Sequence, residues 1–201
     1  MTIILIGASG TIGSAIDDAL SPDHDLVRVS RTSGAIQADI ADPDAIRALY
    51  DAVDDFDAVV CVAGGAAFDP LEELSDQDFQ FSLSSKLMGQ VNLVRYGLPE
   101  IRTEANPSFT LVSGVLSIQP MPGSAAVSLV NAGVEGFARA AALEADDVRV
   151  NVVSPPWVSE TLEAMGQDPS AGLPAAVVAR SFVDSVTGDM TGEVLDARAY
   201  A

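Results

Sequence analysis

Apolar positions recur along this chain with two periods. Short β-branched runs end at glycine or proline, and longer stretches place an apolar residue every three or four positions. Thr2-Ile3-Ile4-Leu5-Ile6, bounded by Gly7, reads as a buried strand, and 12–20 reads as a helix stopped by Pro22. Residues 26–29 form a second strand. Asp42-Pro43 then sets an N-cap and a first-position proline on a helix reaching about residue 53. A strand over 58–62 runs into Ala63-Gly64-Gly65, and a long helical stretch, in one or two pieces, covers 75–97. Further strands are expected over 109–113 and 148–153, the second halted by Ser154-Pro155-Pro156. Helices are expected at Ala125–Glu144 and 175–186, with a last strand over 193–197. Strands alternating with helices of ten or more residues predict a single-domain α/β Rossmann fold over 1–201. Its doubly wound parallel sheet would lie between two helical layers. The Gly/Pro-containing segment 166–174 reads as a loop inside that domain.

At 201 residues the chain can bury one good core and is short for two. A hydrophobic content of 48% excludes a disordered chain and suits a sheet buried on both faces. No apolar run is long enough to span a bilayer, and the first residues enter a strand without a basic leader, so a cytoplasmic location is expected. Cys61, the single cysteine, sits in an apolar run as a buried thiol. The net charge of −19 is unusual: 29 acidic residues face nine arginines and one lysine, Lys86. Such a surface repels nucleic acid and anionic membranes, so neither is expected as a partner. A high-salt cytoplasm would screen this self-repulsion; an acidic protein of an ordinary cell is the alternative.

Between the first strand and the first helix lies Gly7-Ala8-Ser9-Gly10-Thr11-Ile12-Gly13. Three glycines in that context are built for a dinucleotide diphosphate. Gly7 permits the tight turn, Gly10 lets backbone approach the phosphates, and Gly13 lets the helix pack on the strand. The helix start offers unpaired N–H groups to the anion. After the second strand, where a carboxylate would select a free ribose 2′-hydroxyl, the chain reads Ser30-Arg31-Thr32-Ser33. Arg31, flanked by hydroxyls such as that of Thr32, favours NADP(H) over NAD(H).

Taken together, these motifs resemble the short-chain dehydrogenase/reductase family over nearly the whole chain. Ala38-Asp39-Ile40 is similar to the family's acidic adenine contact, and Ala63-Gly64-Gly65 to its small-residue turn beneath the cofactor. The segment from Asn151 through Pro155, Pro156, Trp157 and Val158 resembles its nicotinamide-side wall, with Pro156 in place of the usual glycine. Asn131-Ala132-Gly133-Val134-Glu135-Gly136-Phe137 matches a family helix. The glycine spacing is closer to atypical members than to the standard branch. The resemblance implies a dinucleotide cofactor, a small-molecule substrate and a dimer or tetramer. A short segment after Trp157, where the family carries its substrate lid, implies a small or open substrate pocket.

The family's four catalytic side chains are all replaced. Val127 falls at the tyrosine, Asn131 at the lysine four residues later, Gly114 at the serine and Lys86 at the helix asparagine. Valine has no proton to give, and asparagine carries no charge to activate a neighbour, so carbonyl reduction lacks its usual acid. Lys86 is the candidate electrophile or ribose contact, and a structural role, pairing with a nearby carboxylate or backbone carbonyl, is the plain alternative. Ser113 is expected to turn to the opposite strand face from position 114. Ser117 could swing in from the loop, while Ser84 and Ser85 read as helix-surface or packing residues. His24 reads as a solvated loop residue, and Tyr50, Tyr96 and Tyr200 as packing residues. No His/Cys cluster suggests a metal. Two classes stay open: an NADP(H)-dependent oxidoreductase with a rebuilt site, and a non-catalytic dinucleotide-binding sensor.

Overall fold

The computed structural model describes residues 1–53, 55–104 and 106–201. Seven parallel strands form one sheet: β1 (Thr2–Ile6), β2 (Asp25–Ser30), β3 (Ile36–Gln37), β4 (Ala58–Cys61), β5 (Ser108–Val112), β6 (Arg149–Ser154) and β7 (Val194–Asp196). They are ordered β3-β2-β1-β4-β5-β6-β7. The β-branched runs are buried on both faces because helices cover both. Ile4, Ile6, Val59, Cys61, Phe109 and Leu111 pack on one side. Their alternates Ile3, Leu5, Ala58, Val60 and Val112 pack on the other. The first face is covered by α2 (Pro43–Asp51), α4 (Gly89–Gly97) and α5 (Ala125–Glu144). The second is covered by α1 (Thr11–Leu20) and α7 (Ala175–Thr187). Strand order reverses between β1 and β4, and a crevice opens beyond their C-terminal ends.

Local chemistry accounts for most element ends. Asp42 caps α2 by accepting the Asp44 N–H at 2.9 Å, with Pro43 behind it. Ser75 and Asp78 form a reciprocal capping box on α3 (Asp76–Ser82). The long 75–97 stretch is one helical run, with a π-helical stretch at Leu83–Met88 joining α3 to α4. That irregularity lies at Lys86, as π stretches tend to lie at functional sites. Two short elements escape the hydropathy pattern: β3, and α6 (Ser159–Ala164), which follows Trp157. The 166–174 segment returns to the body through a bridge between Leu173 and Val158.

No helix among the described residues is long and apolar enough to cross a membrane. No cluster of His, Cys, Asp and Glu that could hold a metal occurs among them either.

Candidate functional site

The glycine loop is closed on itself. Gly7 turns at φ +88°, where an added Cβ would meet the Val62–Ala63 backbone at 3.1 Å. Gly7 and Ala8 donate to the Val29 carbonyl at 2.9 and 3.3 Å, and Gly10 donates to Gly7 at 2.9 Å. A Cβ on Gly13 would collide with the Gly7 carbonyl, so only glycine lets α1 start this close to the loop. The N-cap of α1 is Gly10, which brings no capping side chain, and the first turn holds no acid. The helix start, with Thr11 as its first residue, therefore keeps its N–H groups unspent by any cap.

A groove of about 460 Å³ runs from this loop, bounded by Gly7, Ser9 and Gly10 and opposite them by Ala63, Gly64 and Gly65. Its far end is formed by Arg31, Thr32, Asp39 and Ile40. The Ser30 hydroxyl accepts the Ser33 N–H at 3.2 Å, folding 30–33 into a turn that carries exposed Arg31 and Thr32 at its tip. Among the described residues Arg31 has no ion pair or hydrogen bond, although the chain carries a large excess of carboxylates. Asp39 accepts the Ala41 N–H at 3.0 Å, which fixes one carboxylate oxygen. Helix residues hold the opposite wall: the Gly65 N–H donates to Ser85 Oγ at 3.0 Å and the Ala67 N–H to Ser82 Oγ at 2.9 Å. Ser85 thus faces inward as a packing residue that anchors the loop, not a helix-surface one. Ser84 bonds only back to Phe81. Glycines at close-approach points and an uncapped helix start fit a dinucleotide diphosphate.

At Gly64 the groove meets a cavity of about 610 Å³. Ile12, Phe68, Val127, Pro155, Trp157 and Val158 supply apolar wall, while Lys86, Ser113, Gly114 and Asn131 supply polar groups. Phe68 and Trp157 stand edge to face, 6.2 Å between ring centres. The four positions where the resemblance locates catalytic groups, Lys86, Gly114, Val127 and Asn131, therefore surround one space. Of the cofactor residues expected from sequence, only Thr11 and Gly13 line neither cleft; they belong to the helix start behind the loop.

Lys86 reaches this cavity because its backbone packs under Gly64, whose added Cβ would meet Lys86 Cα at 2.9 Å. Its Nζ donates to the Ser113 carbonyl at 3.3 Å and makes no ion pair among the described residues. Burial pushes its pKa down to about 8, an effect that a thiolate at Cys61 would oppose; burial drives that thiol up to about 11. Of the structural pairings considered for Lys86, the one to a backbone carbonyl is present, at Ser113, and the one to a carboxylate is absent among the described residues.

Asn131 donates to the Gly114 carbonyl at 3.3 Å, and its buried Oδ1 has no partner among them. Ser113 turns to α5 and donates to Glu135 Oε1 at 2.9 Å; Ser117 donates to the same oxygen at 2.6 Å. Ser117 is therefore held on Glu135 and does not swing into the cavity. Ser128 pairs with Ser124 at 3.0 Å.

Two buried residues that the sequence reading did not single out tie this wall together. Gln90 accepts the Val112 N–H at 2.8 Å and donates to the Val112 carbonyl at 2.9 Å. Paired strand ends at Val60–Thr110, so the Gln90 amide takes the place β4 vacates beside β5. It also donates to the Lys86 carbonyl at 3.1 Å, inside the π-helical stretch. Glu135, 5% exposed, gathers both serines under the loop after β5. Their signal in the sequence is a polar side chain on an otherwise apolar helix face. Tyr50 stacks on Phe56 and donates to Leu93, Tyr96 lies under Arg47, and Tyr200 bonds Asp184; all three pack away from the cavity. His24 lies between α1 and β2, outside both clefts.

The fold and these two joined clefts describe a class, and sequence comparison gives its family. A model described as enoyl-(acyl carrier protein) reductase matches residues 13–194, so the chain belongs to that family within the short-chain dehydrogenase/reductase superfamily. The solved protein lin1944 from Listeria innocua is 38% identical, with a TM-score of 0.92 over 98% of each chain. A small-chain dehydrogenase solved with NADPH shares the fold, with a TM-score of 0.86 at 21% identity over 100% of this chain and 98% of that one. A short-chain dehydrogenase/reductase of Acremonium sp is 29% identical over 71% of this chain and 58% of its own length. The L-fucose dehydrogenase of Oryctolagus cuniculus is 30% identical over 72% and 55%. The chain thus spans less than three-fifths of the length of these two curated relatives.

Proposed function

We propose that this protein is an NADP(H)-dependent oxidoreductase with a non-standard active site in which Lys86 is the electrophile. The observation that carries the reading is the continuity of the two clefts. The groove ends at the unpaired Arg31, and it opens at Gly64 into the cavity that holds Lys86. The uncapped start of α1 would hold the diphosphate. Asp39 and Ile40 would flank the adenine, with Arg31 and Thr32 taking the 2′-phosphate. Asn131, with its unpartnered Oδ1, is assigned to the nicotinamide ribose, beside the wall of Pro155, Trp157 and Val158. The NADPH complex of a fold relative supports the choice of dinucleotide.

When bound, the cofactor supplies a hydride. Lys86 supplies what Val127 cannot: its ammonium polarises a carbonyl oxygen and, with a pKa of about 8, gives up a proton as the alkoxide forms. Ser113 holds that ammonium through its carbonyl, and Glu135 fixes Ser113. One observation favours a second reading, a non-catalytic nucleotide sensor: valine stands in the cavity wall at the family's tyrosine position. Incubation with NADPH and a panel of small carbonyls, comparing wild type with Lys86→Ala, separates the two. Turnover lost in the variant supports the enzyme, and nucleotide binding without turnover on any substrate supports the sensor. Turnover that survives in Lys86→Ala removes this residue from the mechanism.

A further inference from the structure

The Lys86 cavity carries a charge pattern opposite to that of the rest of the molecule. The chain holds 29 acidic residues, yet no carboxylate lines this cavity among the described residues, and its one charged group is the only lysine in the protein. A lysine elsewhere on so acidic a chain would meet a carboxylate at little cost. Here Nζ has a single long bond, 3.3 Å, to a backbone carbonyl, which satisfies one of its three donors. The titratable groups on the packed elements leave that charge uncompensated. Cys61 on β4 is a neutral thiol, and Glu135 on α5 is committed to Ser113 and Ser117, with Arg139 at 3.8 Å. Most of the remaining wall is apolar, and the aromatic pair Phe68–Trp157 lines it.

A half-buried cation that meets no carboxylate among the described residues is matched by an anion brought by a ligand. We infer that this cavity takes a small apolar 2-oxo monocarboxylate, its carboxylate and the adjacent carbonyl oxygen both facing the Lys86 ammonium and its body against Trp157 and Phe68. The inference rests on reading the Lys86 cavity as the substrate space and names the substrate class for it. A second charge on the ligand would have no partner, since Thr161, Gln167 and Asn131 are the remaining polar side chains of the wall apart from Ser113. Dicarboxylates and cations are therefore disfavoured, and neutral alcohols of equal size lose the pairing.

Trp157 is the only tryptophan of the chain and lies in the wall, so its emission reports occupancy without any turnover. Benzoate and phenylacetate, which carry the carboxylate without the 2-oxo group, are titrated at pH 7 against benzyl alcohol and 2-phenylethanol, into wild type and Lys86→Met, with and without NADP. The expected result is saturable binding of each carboxylate at least tenfold tighter than its alcohol in wild type. In Lys86→Met that preference vanishes while alcohol binding is unchanged, which also shows the variant folded. Equal binding of acid and alcohol, no saturable carboxylate binding, or a preference that survives in Lys86→Met each overturns the inference. Carboxylate binding without turnover would leave the inference standing while the oxidoreductase reading fails. Turnover of neutral carbonyls with no carboxylate preference would do the reverse.

Discussion

The nucleotide groove and the Lys86 cavity share Gly64, yet they are built from different parts of the polypeptide. The groove is largely a backbone structure: glycines that admit close approach, an uncapped helix start and a turn that lifts Arg31 into solvent. The cavity is a side-chain structure. Apolar walls surround one ammonium, and buried Gln90 and Glu135 pin the segment around Val112–Ser117. Backbone sites tolerate sequence change everywhere except at their glycines, because N–H groups belong to every residue but proline. Side-chain sites change their chemistry with each substitution. That contrast sets the two regions apart: the groove depends on where glycines stand, and the cavity on which side chains, Lys86 and Asn131 among them, line it.

The contrast breaks most sharply at Gly13. Gly13→Val puts side-chain atoms into the Gly7 carbonyl, and the helix start cannot retreat without leaving the strand. We expect a loss on the order of 3 kcal/mol or more in unfolding free energy, together with loss of NADPH binding. Thermal unfolding and calorimetric titration check both; a variant that binds normally refutes the closed-loop account.

Arg31→Ala tests the groove's one side-chain contribution. NADPH affinity should fall by roughly 10- to 100-fold, as expected for a charge-assisted phosphate contact, with NADH affinity unchanged. An equal loss for both nucleotides would assign Arg31 no role in the choice between them.

Lys86→Met probes the cavity from the opposite direction, since it should stabilise the protein. The folded pKa of Lys86, about 8, lies below the ordinary 10.5, so below pH 8 the folded state bears the full cost of holding the charge. Between about pH 8 and 10.5 the unfolded chain binds more protons, and the wild type regains stability as pH rises. The methionine variant should therefore be more stable by about 1–2 kcal/mol at pH 7, an amount discounted for the partial exposure of Lys86, with the gain fading toward pH 10.5. Denaturant unfolding across that range measures it. A gain that grows with pH has the wrong sign for a desolvated lysine.

The smallest effect is expected at Ser117→Ala. Glu135 keeps its bond from Ser113, so the cost should be about 0.5–1.5 kcal/mol, with nucleotide affinity untouched. Chemical denaturation and an NADPH titration of the same variant check the pair of outcomes.

Much of the fold was legible because its signals are local. The helix expected at Ala125–Glu144 has those bounds in the structure, since twenty residues of one periodicity leave little ambiguity. Strand β3 has two residues and exists through its pairing of Ile36 with Val29 and Gln37 with Ser30, which hydropathy does not register. The π-helical stretch is equally hidden from hydropathy; Gly64 packs against it at Lys86, and Gln90 bonds both its Lys86 carbonyl and β5. Of the residues lining the groove, the glycine loop stood out by its spacing between strand and helix, Asp39, Ile40 and 63–65 only through the family resemblance, and Lys86, in the adjoining cavity, was conspicuous as the sole lysine. Glu135 and Gln90 were passed over: a polar residue on an apolar helix face shows that it is buried, but not what it binds.

The sequence by itself determined the alternation of strand and helix, the closed glycine loop and the presence of a single lysine, all properties of residue type and near neighbours. Tertiary structure alone decided what that lysine is. Its pKa, its lack of a carboxylate partner among the described residues and its place in a largely apolar cavity depend on β4, β5 and α5 converging from distant parts of the chain. Desolvation and charge pairing are sums over neighbours in space, and no local pattern encodes those sums.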